Sequence, residues 1–232
     1  MTTVRTLRAI ELTKIFPHPY KKDVQIPLFA AASFQIDAKK VNFLVGVSGS
    51  GKTTLLRIIS SLEGINAGEL YLDEMTIHNL RGKEKLRYLR SLGFLDQFPA
   101  KYLSMNLSVF QNLEQTLILY CKLQREVRKK KINELISNLN INNLRDKKLR
   151  HLSGGELRRV GFACSIVFTP SILLCDEPTA QLDTENKQIV LETIQKAHEL
   201  YEILIIVATH NHSIIGKNPL FEIDERRVIR RQ

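Results

Sequence analysis

The sequence predicts an α/β fold on a mostly parallel sheet, with a helical insertion in its middle. Three observations carry this. Short apolar runs alternate with helix-period patterns along the chain. A Gly-rich turn at 46–53 joins one such run to one such pattern. From about Val109 to Leu149, helix patterns follow one another with no strand candidate between them.

The elements follow in order. Leu7 to Leu12 and Ala30 to Ile36 read as smaller strands flanking the sheet. Val41 to Val45 is a continuous apolar run, as expected of a strand buried on both faces. Leu55, Leu56, Ile58, Ile59 and Leu62 then recur at helical spacing. In the insertion, Val109, Leu113, Thr116, Leu117 and Tyr120 form one helical face, and Leu135, Ile136 and Leu139 another. Basic residues crowd between them, from Arg125 through Arg128, Lys129, Lys130 and Lys131, and offer a surface to anionic lipid headgroups. Ser171 to Cys175 and Ile203 to Ala208 read as central strands, with a helix over Thr184 to Leu200 between them. Leu220 to Ile229 reads as a further flanking strand.

Composition narrows the class. The chain has 232 residues, of which 44% are hydrophobic and 25% charged, which is ordinary globular usage. That excludes collagen, a disulfide mini-scaffold and bulk disorder. The formal net charge of +10 leaves open a nucleic-acid or anionic-membrane partner beside a plain solvated surface. Three cysteines, Cys121, Cys164 and Cys175, show neither CxxC nor metal-ligand spacing and read as small buried hydrophobes. No secretory signal is visible at the N-terminus. The longest uncharged run, Val160 to Cys175, is too short and interrupted to span a bilayer.

Gly46-Val47-Ser48-Gly49-Ser50-Gly51-Lys52-Thr53 fits G-x-x-x-x-G-K-[ST] in a strand–loop–helix context. Its glycines let consecutive backbone N–H groups turn toward phosphate oxygens. The helix starting near Lys52 adds its positive end, and Lys52 a cation for the β- and γ-phosphates. Thr53 presents a hydroxyl for Mg²⁺. Gly46, Ser48, Gly49, Ser50, Gly51, Lys52, Thr53 and Thr54 are the nucleotide-binding candidates here.

Ile172 to Glu177 is an apolar run ending in two acids and stopped by Pro178. Asp176 suits metal orientation. Glu177 leaves the strand end pointing elsewhere and is free to act as general base on an attacking water. Leu152-Ser153-Gly154-Gly155-Glu156 opens a helix, with Ser153 as N-cap and the glycines as a second backbone nest for anions.

With LSGGE between the phosphate loop and the acidic strand, the sequence resembles the ATP-binding cassette (ABC) ATPases over essentially its whole length. LSGGE matches their signature motif. Gln97 resembles the Q-loop glutamine, which touches Mg²⁺ and faces the transporter partner. Ala180-Gln181-Leu182-Asp183 resembles the D-loop, and His210 the switch histidine. Phe16 stands where the family stacks an aromatic on adenine, with Tyr20 as an alternative. Four departures stand out: Asp96 before the Q-loop glutamine, Leu157 where Gln is common, Cys164 where many relatives carry Arg, and AQLD as the D-loop.

The resemblance implies a P-loop NTPase (RecA-like) core with a mostly parallel sheet, a small antiparallel β subdomain and a helical subdomain. One domain then spans 1–232. Residues 1–95 and 163–232 form the core with its β part, and about 96–162 the helical part. It also implies a shared mechanism. ATP on the phosphate loop of one subunit would be closed over by Ser153, Gly154, Gly155 and Glu156 of another, with Asp183 beside it. Glu177 would polarise the water, and His210 would hold the γ-phosphate and position that water. Thr53, Gln97 and Asp176 would serve Mg²⁺.

The stretch Glu84 to Phe94, followed by Ser108 to Asn112, resembles the branch serving lipoprotein release, macrolide export and cell division. That branch implies an ATP-dependent homodimer on the cytoplasmic face of the inner membrane, driving a separate permease and binding no nucleic acid. The alternatives are a cassette of another import or export branch, and a soluble ABC ATPase acting on nucleic acid.

Overall fold

The computed structural model describes residues 5–21, 24–216, 218–224 and 227–231. Two sheets and six α-helices make up the described chain. The first sheet is antiparallel, in the order β2-β1-β4-β5, from β1 (Thr6–Pro17), β2 (Gln25–Asp37), β4 (Ala67–Leu72) and β5 (Met75–Thr76). The second has the order β10-β9-β3-β8-β7-β6. Its strands are β3 (Asn42–Val45), β6 (Leu92–Leu95), β7 (Ile172–Asp176), β8 (Leu204–Thr209), β9 (Leu220–Asp224) and β10 (Arg227–Arg231). All its neighbours pair parallel except β9 and β10.

The central parallel strands β3, β7 and β8 are buried along their whole length, on both faces of the sheet. Alternation divides them cleanly. Phe43, Val45, Leu173, Cys175, Ile205 and Val207 face one apolar cluster, while Leu44, Ile172, Leu174, Leu204, Ile206 and Ala208 face the other. The second cluster lies under the antiparallel sheet and α1 (Lys52–Ile59), with Leu7, Leu55 and Leu56 wholly buried. The first lies under α3 (Val109–Tyr120), α4 (Arg125–Asn138), α5 (Gly154–Ile166) and α6 (Thr184–Tyr201). The helical middle therefore shares one core with the sheet.

The sequence pattern located the central strands, α1, α6 and the helical middle to within a few residues. The stretch 220–229 is not one flanking strand. It is a hairpin whose first member, β9, joins the main sheet parallel to β3. Between Leu62 and Gln97 the sequence reading named no element, yet β4, β5, α2 (Gly82–Arg90) and β6 lie there. β5 and β6 have 2 and 4 residues, too few to display a period. Cys164 and Cys175 are buried, whereas Cys121 is half-buried, and all three are free thiols. Burial pushes the Cys164 thiol up to about 12, so it behaves as a hydrophobe.

The basic run on α4 is less available than its composition implies. Arg128 reaches Glu114 at 3.4 Å and donates to the Leu123 carbonyl at 2.7 Å. Lys129 pairs with Glu126 at 3.0 Å, Lys130 lies 3.9 Å from Glu134, and Lys131 donates to Thr169 Oγ1 at 3.2 Å. Lys129 and Lys130 are paired along α4 at i,i+3 and i,i+4 spacing, whereas Arg128 and Lys131 find partners outside that helix.

Candidate functional site

Parallel pairing builds the site. β3, β8, β7 and β6 are consecutive neighbours, with Val45 opposite Thr209, Asp176 opposite Ala208 and Leu95 opposite Cys175. The residues that follow these strand ends are therefore delivered to one edge: the phosphate loop, His210, Glu177 and Gln97. Crevices beyond the carboxyl ends of parallel strands are where open α/β sheets bind ligands.

A cleft of about 420 Å³ lies at that edge. Ser48, Gly49, Gly51, Lys52, Thr53 and Thr54 line it from the loop and α1, with Phe16 and Leu28 from the antiparallel sheet. Gln97, Glu177 and His210 complete it. Gly51 caps α1 in the left-handed region, at φ 106°, and a Cβ there would press on Leu28 at 2.9 Å. Glycine at this position thus serves both the turn and the close packing under it.

Lys52 is only 7% exposed and donates to the carbonyls of Gly46 at 2.8 Å and Val47 at 3.1 Å. Burial lowers its pKa, opposed by the charges of Glu177 and Asp176. Thr53 Oγ1 donates to Asp176 Oδ2 at 2.8 Å. Burial raises the Asp176 pKa, and the Thr53 hydrogen bond opposes the rise. The other carboxylate oxygen, Oδ1, is buried with no protein partner. A hydroxyl beside a carboxylate with an unpaired buried oxygen fits a hard divalent cation. No group of three or more His, Cys, Asp or Glu able to hold a metal occurs among the described residues.

Glu177 leaves β7 at φ 47°, in the left-handed region, so its side chain departs from that of Asp176. His210 Nδ1 lies 2.8 Å from Glu177 Oε1. Asp96, the unusual neighbour of Gln97, accepts from the Phe98 N–H at 2.9 Å and so closes a turn around the glutamine. Phe16 carries Lys14 Nζ 4.6 Å from its ring centroid, and Glu63 holds that cation at 2.6 Å. Tyr20 is 92% exposed and does not line the cleft.

The signature segment lies elsewhere. Ser153 caps α5, accepting from the Glu156 N–H at 3.2 Å, while Glu156 Oε2 accepts from the Ser153 N–H at 2.8 Å. That backbone donor and Lys147, at 3.6 Å, hold the Glu156 carboxyl below its ordinary pKa. The two bonds form a capping box, whose S-x-x-E spacing is visible in the sequence beyond the Ser153 cap alone. Gly155 packs against Asn186, which Asp183 binds through both its backbone and its side chain. None of Ser153, Gly154, Gly155, Glu156 or Asp183 lines the phosphate-loop cleft of its own chain.

One residue the motifs did not single out is Arg158. It is 6% exposed and donates to the carbonyls of Glu177 at 3.1 Å and Ala180 at 3.2 Å. Burial lowers its pKa, opposed by Tyr102 and Asp96, but a guanidinium stays cationic. Only the pairing of α5 against the end of β7 could have revealed it.

A family model described as ABC transporter matches residues 29–180. The chain belongs to the ABC transporter family. It is an ATP-binding, ATP-hydrolysing cassette of that family, and the nucleic-acid alternative receives no support from its relatives. The lipoprotein-releasing system ATP-binding protein LolD of Buchnera aphidicola is 32% identical over 216 residues, covering 92% of this cassette and 91% of LolD. The methionine import ATP-binding protein MetN 1 of Staphylococcus epidermidis is 30% identical, over 85% of this cassette and 57% of MetN 1. Among solved structures, cbiO1 of Clostridium perfringens, part of the complex cbiONQ, superposes with TM-score 0.86 at 26% identity, over 97% of this cassette and 87% of cbiO1. A dimeric bacterial ABC transporter cassette, MJ0796, superposes with TM-score 0.81 at 25% identity, over 96% of each chain. Of these relatives, MJ0796 is dimeric and cbiO1 is part of an ABC transporter complex. Among the described residues, no helix of this cassette is long and apolar enough to cross a membrane.

Proposed function

We propose that the cassette binds ATP with Mg²⁺ in the phosphate-loop cleft, closes on a second copy of itself, and drives a separate permease from the cytoplasmic face of the membrane. One observation carries the reading. Glu177, His210, Gln97, Lys52 and Thr53 meet at one cleft, while the signature segment of the same chain stays outside it. A shared site reconciles the two, because the missing wall then comes from the partner copy.

In this reading Phe16 stacks on the base, and the loop N–H groups and Lys52 hold the phosphates. Thr53, Asp176 and Gln97 would hold Mg²⁺, which when bound supplies charge compensation on the phosphate oxygens. Glu177 takes the proton of the attacking water. His210 keeps Glu177 in place through Nδ1 and reaches for the γ-phosphate. Ser153 and Gly155 of the partner copy donate to that phosphate, so the closed dimer is favoured only while it is attached. Residues 96–162 then act as the helical part that relays closure to the permease. The 32% identity to LolD, carried over about nine-tenths of both chains, supports the lipoprotein-release branch.

The test is recovery of the cassette from membranes in mild detergent, with and without ATP. A polytopic membrane protein should co-purify in stoichiometric amount. An ATP-dependent dimer should form, and Ser153→Arg should abolish it while leaving ATP binding by the monomer. A variant that still dimerises would sink the shared site, and a cassette recovered without any membrane partner would sink the permease reading.

A further inference from the structure

We infer that Arg158 is a positioning residue that couples the signature helix to the catalytic end of β7, so that the two ATP sites of a dimer act on each other through each chain. The inference rests on reading Glu177 as the base and Ser153 to Gly155 as the contact made to the partner's nucleotide.

Arg158 belongs to α5, about one turn beyond the signature residues that open that helix. Its two Nη atoms donate to two carbonyls, of Glu177 at 3.1 Å and of Ala180 at 3.2 Å. A planar guanidinium spans two such acceptors as one rigid fork, which an ammonium cannot do. The segment it grips is held in an uncommon conformation. Glu177 has φ 47° and Gln181 φ 61°, both in the left-handed region, and neither is glycine. Backbone of this kind persists only where its surroundings hold it. Two of the restraints are backbone hydrogen bonds: from the sheet the Ala208 carbonyl accepts from the Glu177 N–H at 2.9 Å, and within the turn itself the Glu177 carbonyl accepts from the Ala180 N–H at 3.1 Å. The third, Arg158, comes from the signature helix and is sealed from solvent.

A second tie runs beside it. A Cβ on Gly155 would fall 2.3 Å from Asn186 Oδ1, so the signature loop rests directly on the residue that Asp183 holds at the start of α6. The stretch 177–186 is thus gripped from α5 at both ends. The signature segment serves one nucleotide of a dimer, and Glu177 of the same chain serves the other. A shift of α5 when Ser153 and Gly155 meet a γ-phosphate is passed by Arg158 to the Glu177 carbonyl, and so to the carboxylate beside His210. Both chains of such a dimer carry the same Arg158, so the coupling runs in both directions by symmetry.

The test uses full-length Arg158→Gln and Arg158→Lys, with Glu177→Gln alongside. ATP hydrolysis is followed against ATP concentration, ATP affinity is titrated with Mg²⁺ chelated, and thermal melting is recorded. The ATP affinity of the monomer should stay within about twofold, because no cleft residue changes. For Arg158→Gln, kcat should fall about tenfold or more, the scale of a lost charge-assisted hydrogen bond. The Hill coefficient should fall toward unity. Arg158→Lys can reach one carbonyl at a time and should lie between. Wild-type kcat and Hill coefficient in either variant overturn the inference, as does a loss of ATP affinity that matches the loss of kcat, or a wild type without cooperativity. If Arg158→Gln does not fold, Arg158→Lys decides by the same criteria. Wild-type turnover in Glu177→Gln removes the base assignment, whereas lost turnover there beside wild-type behaviour at position 158 removes only the coupling.

Discussion

Glu177→Gln separates chemistry from architecture within one residue. The substitution replaces a carboxylate oxygen by an amide of nearly the same shape. The side chain is 15% exposed, and its partner His210 Nδ1, at 2.8 Å, is on a side chain that is 64% exposed. A Gln oxygen can accept from the same ring nitrogen, so the cleft should keep its form. A polar contact whose imidazole is this open to solvent contributes at most about 1 kcal/mol to stability. Removing a general base, by contrast, costs about 10²- to 10⁴-fold in rate. At roughly 1.4 kcal/mol per decade, that is roughly 3–6 kcal/mol of lost transition-state stabilisation. The measurements are phosphate release under saturating MgATP, ATP affinity by titration, and the urea midpoint. Turnover should nearly vanish while affinity and midpoint stay close to wild type, and an ATP-bound dimer should accumulate on size exclusion. Turnover within about twofold of wild type would refute the assignment of the base.

Other expectations follow from the same geometry. Phe16→Leu should weaken ATP binding by about 1 kcal/mol, the scale of an aromatic stack, whereas Tyr20→Leu should leave it unchanged; equal losses would remove Phe16 as the adenine platform. Gly155→Ala should destabilise the fold by roughly 1–3 kcal/mol, because Asn186 must be displaced from Asp183. Asn186→Ala should relieve part of that cost in a urea-melt cycle, and strict additivity would refute the clash. Glu156 titrates below its ordinary value, so its stabilisation of the α5 start is present above the usual glutamate range and is lost as pH falls through the lowered value. The stability gap between wild type and Glu156→Gln should therefore shrink as pH falls from neutral through and below the ordinary glutamate range. Asp176 shifts the opposite way but is common to both proteins, so a gap independent of pH would contradict the capping role.

Much of the site was legible because its motifs are local. A phosphate loop, a strand ending in Asp176 and Glu177, and a capped helix at Ser153 each depend on a few consecutive residues, whose backbone chemistry travels with them. The antiparallel sheet was only half legible. β1 and β2 reach beyond the apolar runs at both ends, since pairing continues through polar positions that carry no hydrophobic pattern. The α4 cations looked like a free basic face because composition records charges without recording that Glu126, Glu134 and Glu114 lie within reach.

The sequence by itself determined that this chain is a nucleotide-binding cassette, which residues are the candidates for its chemistry, and that its fold is a parallel α/β core with a helical middle. Each of these follows from residue types at short spacing. Only the tertiary structure decided which of the candidates meet. Parallel register brings Gly46, Gln97, Glu177 and His210 to one edge, although they are far apart in the chain. It also chooses Phe16 over Tyr20 as the aromatic in the cleft, and leaves Ser153 and Gly155 outside it. Above all it sets Arg158 against the backbone of Glu177. No spacing rule could foresee that contact, because it is made to two carbonyls, which every residue possesses and whose position depends on how the chain packs.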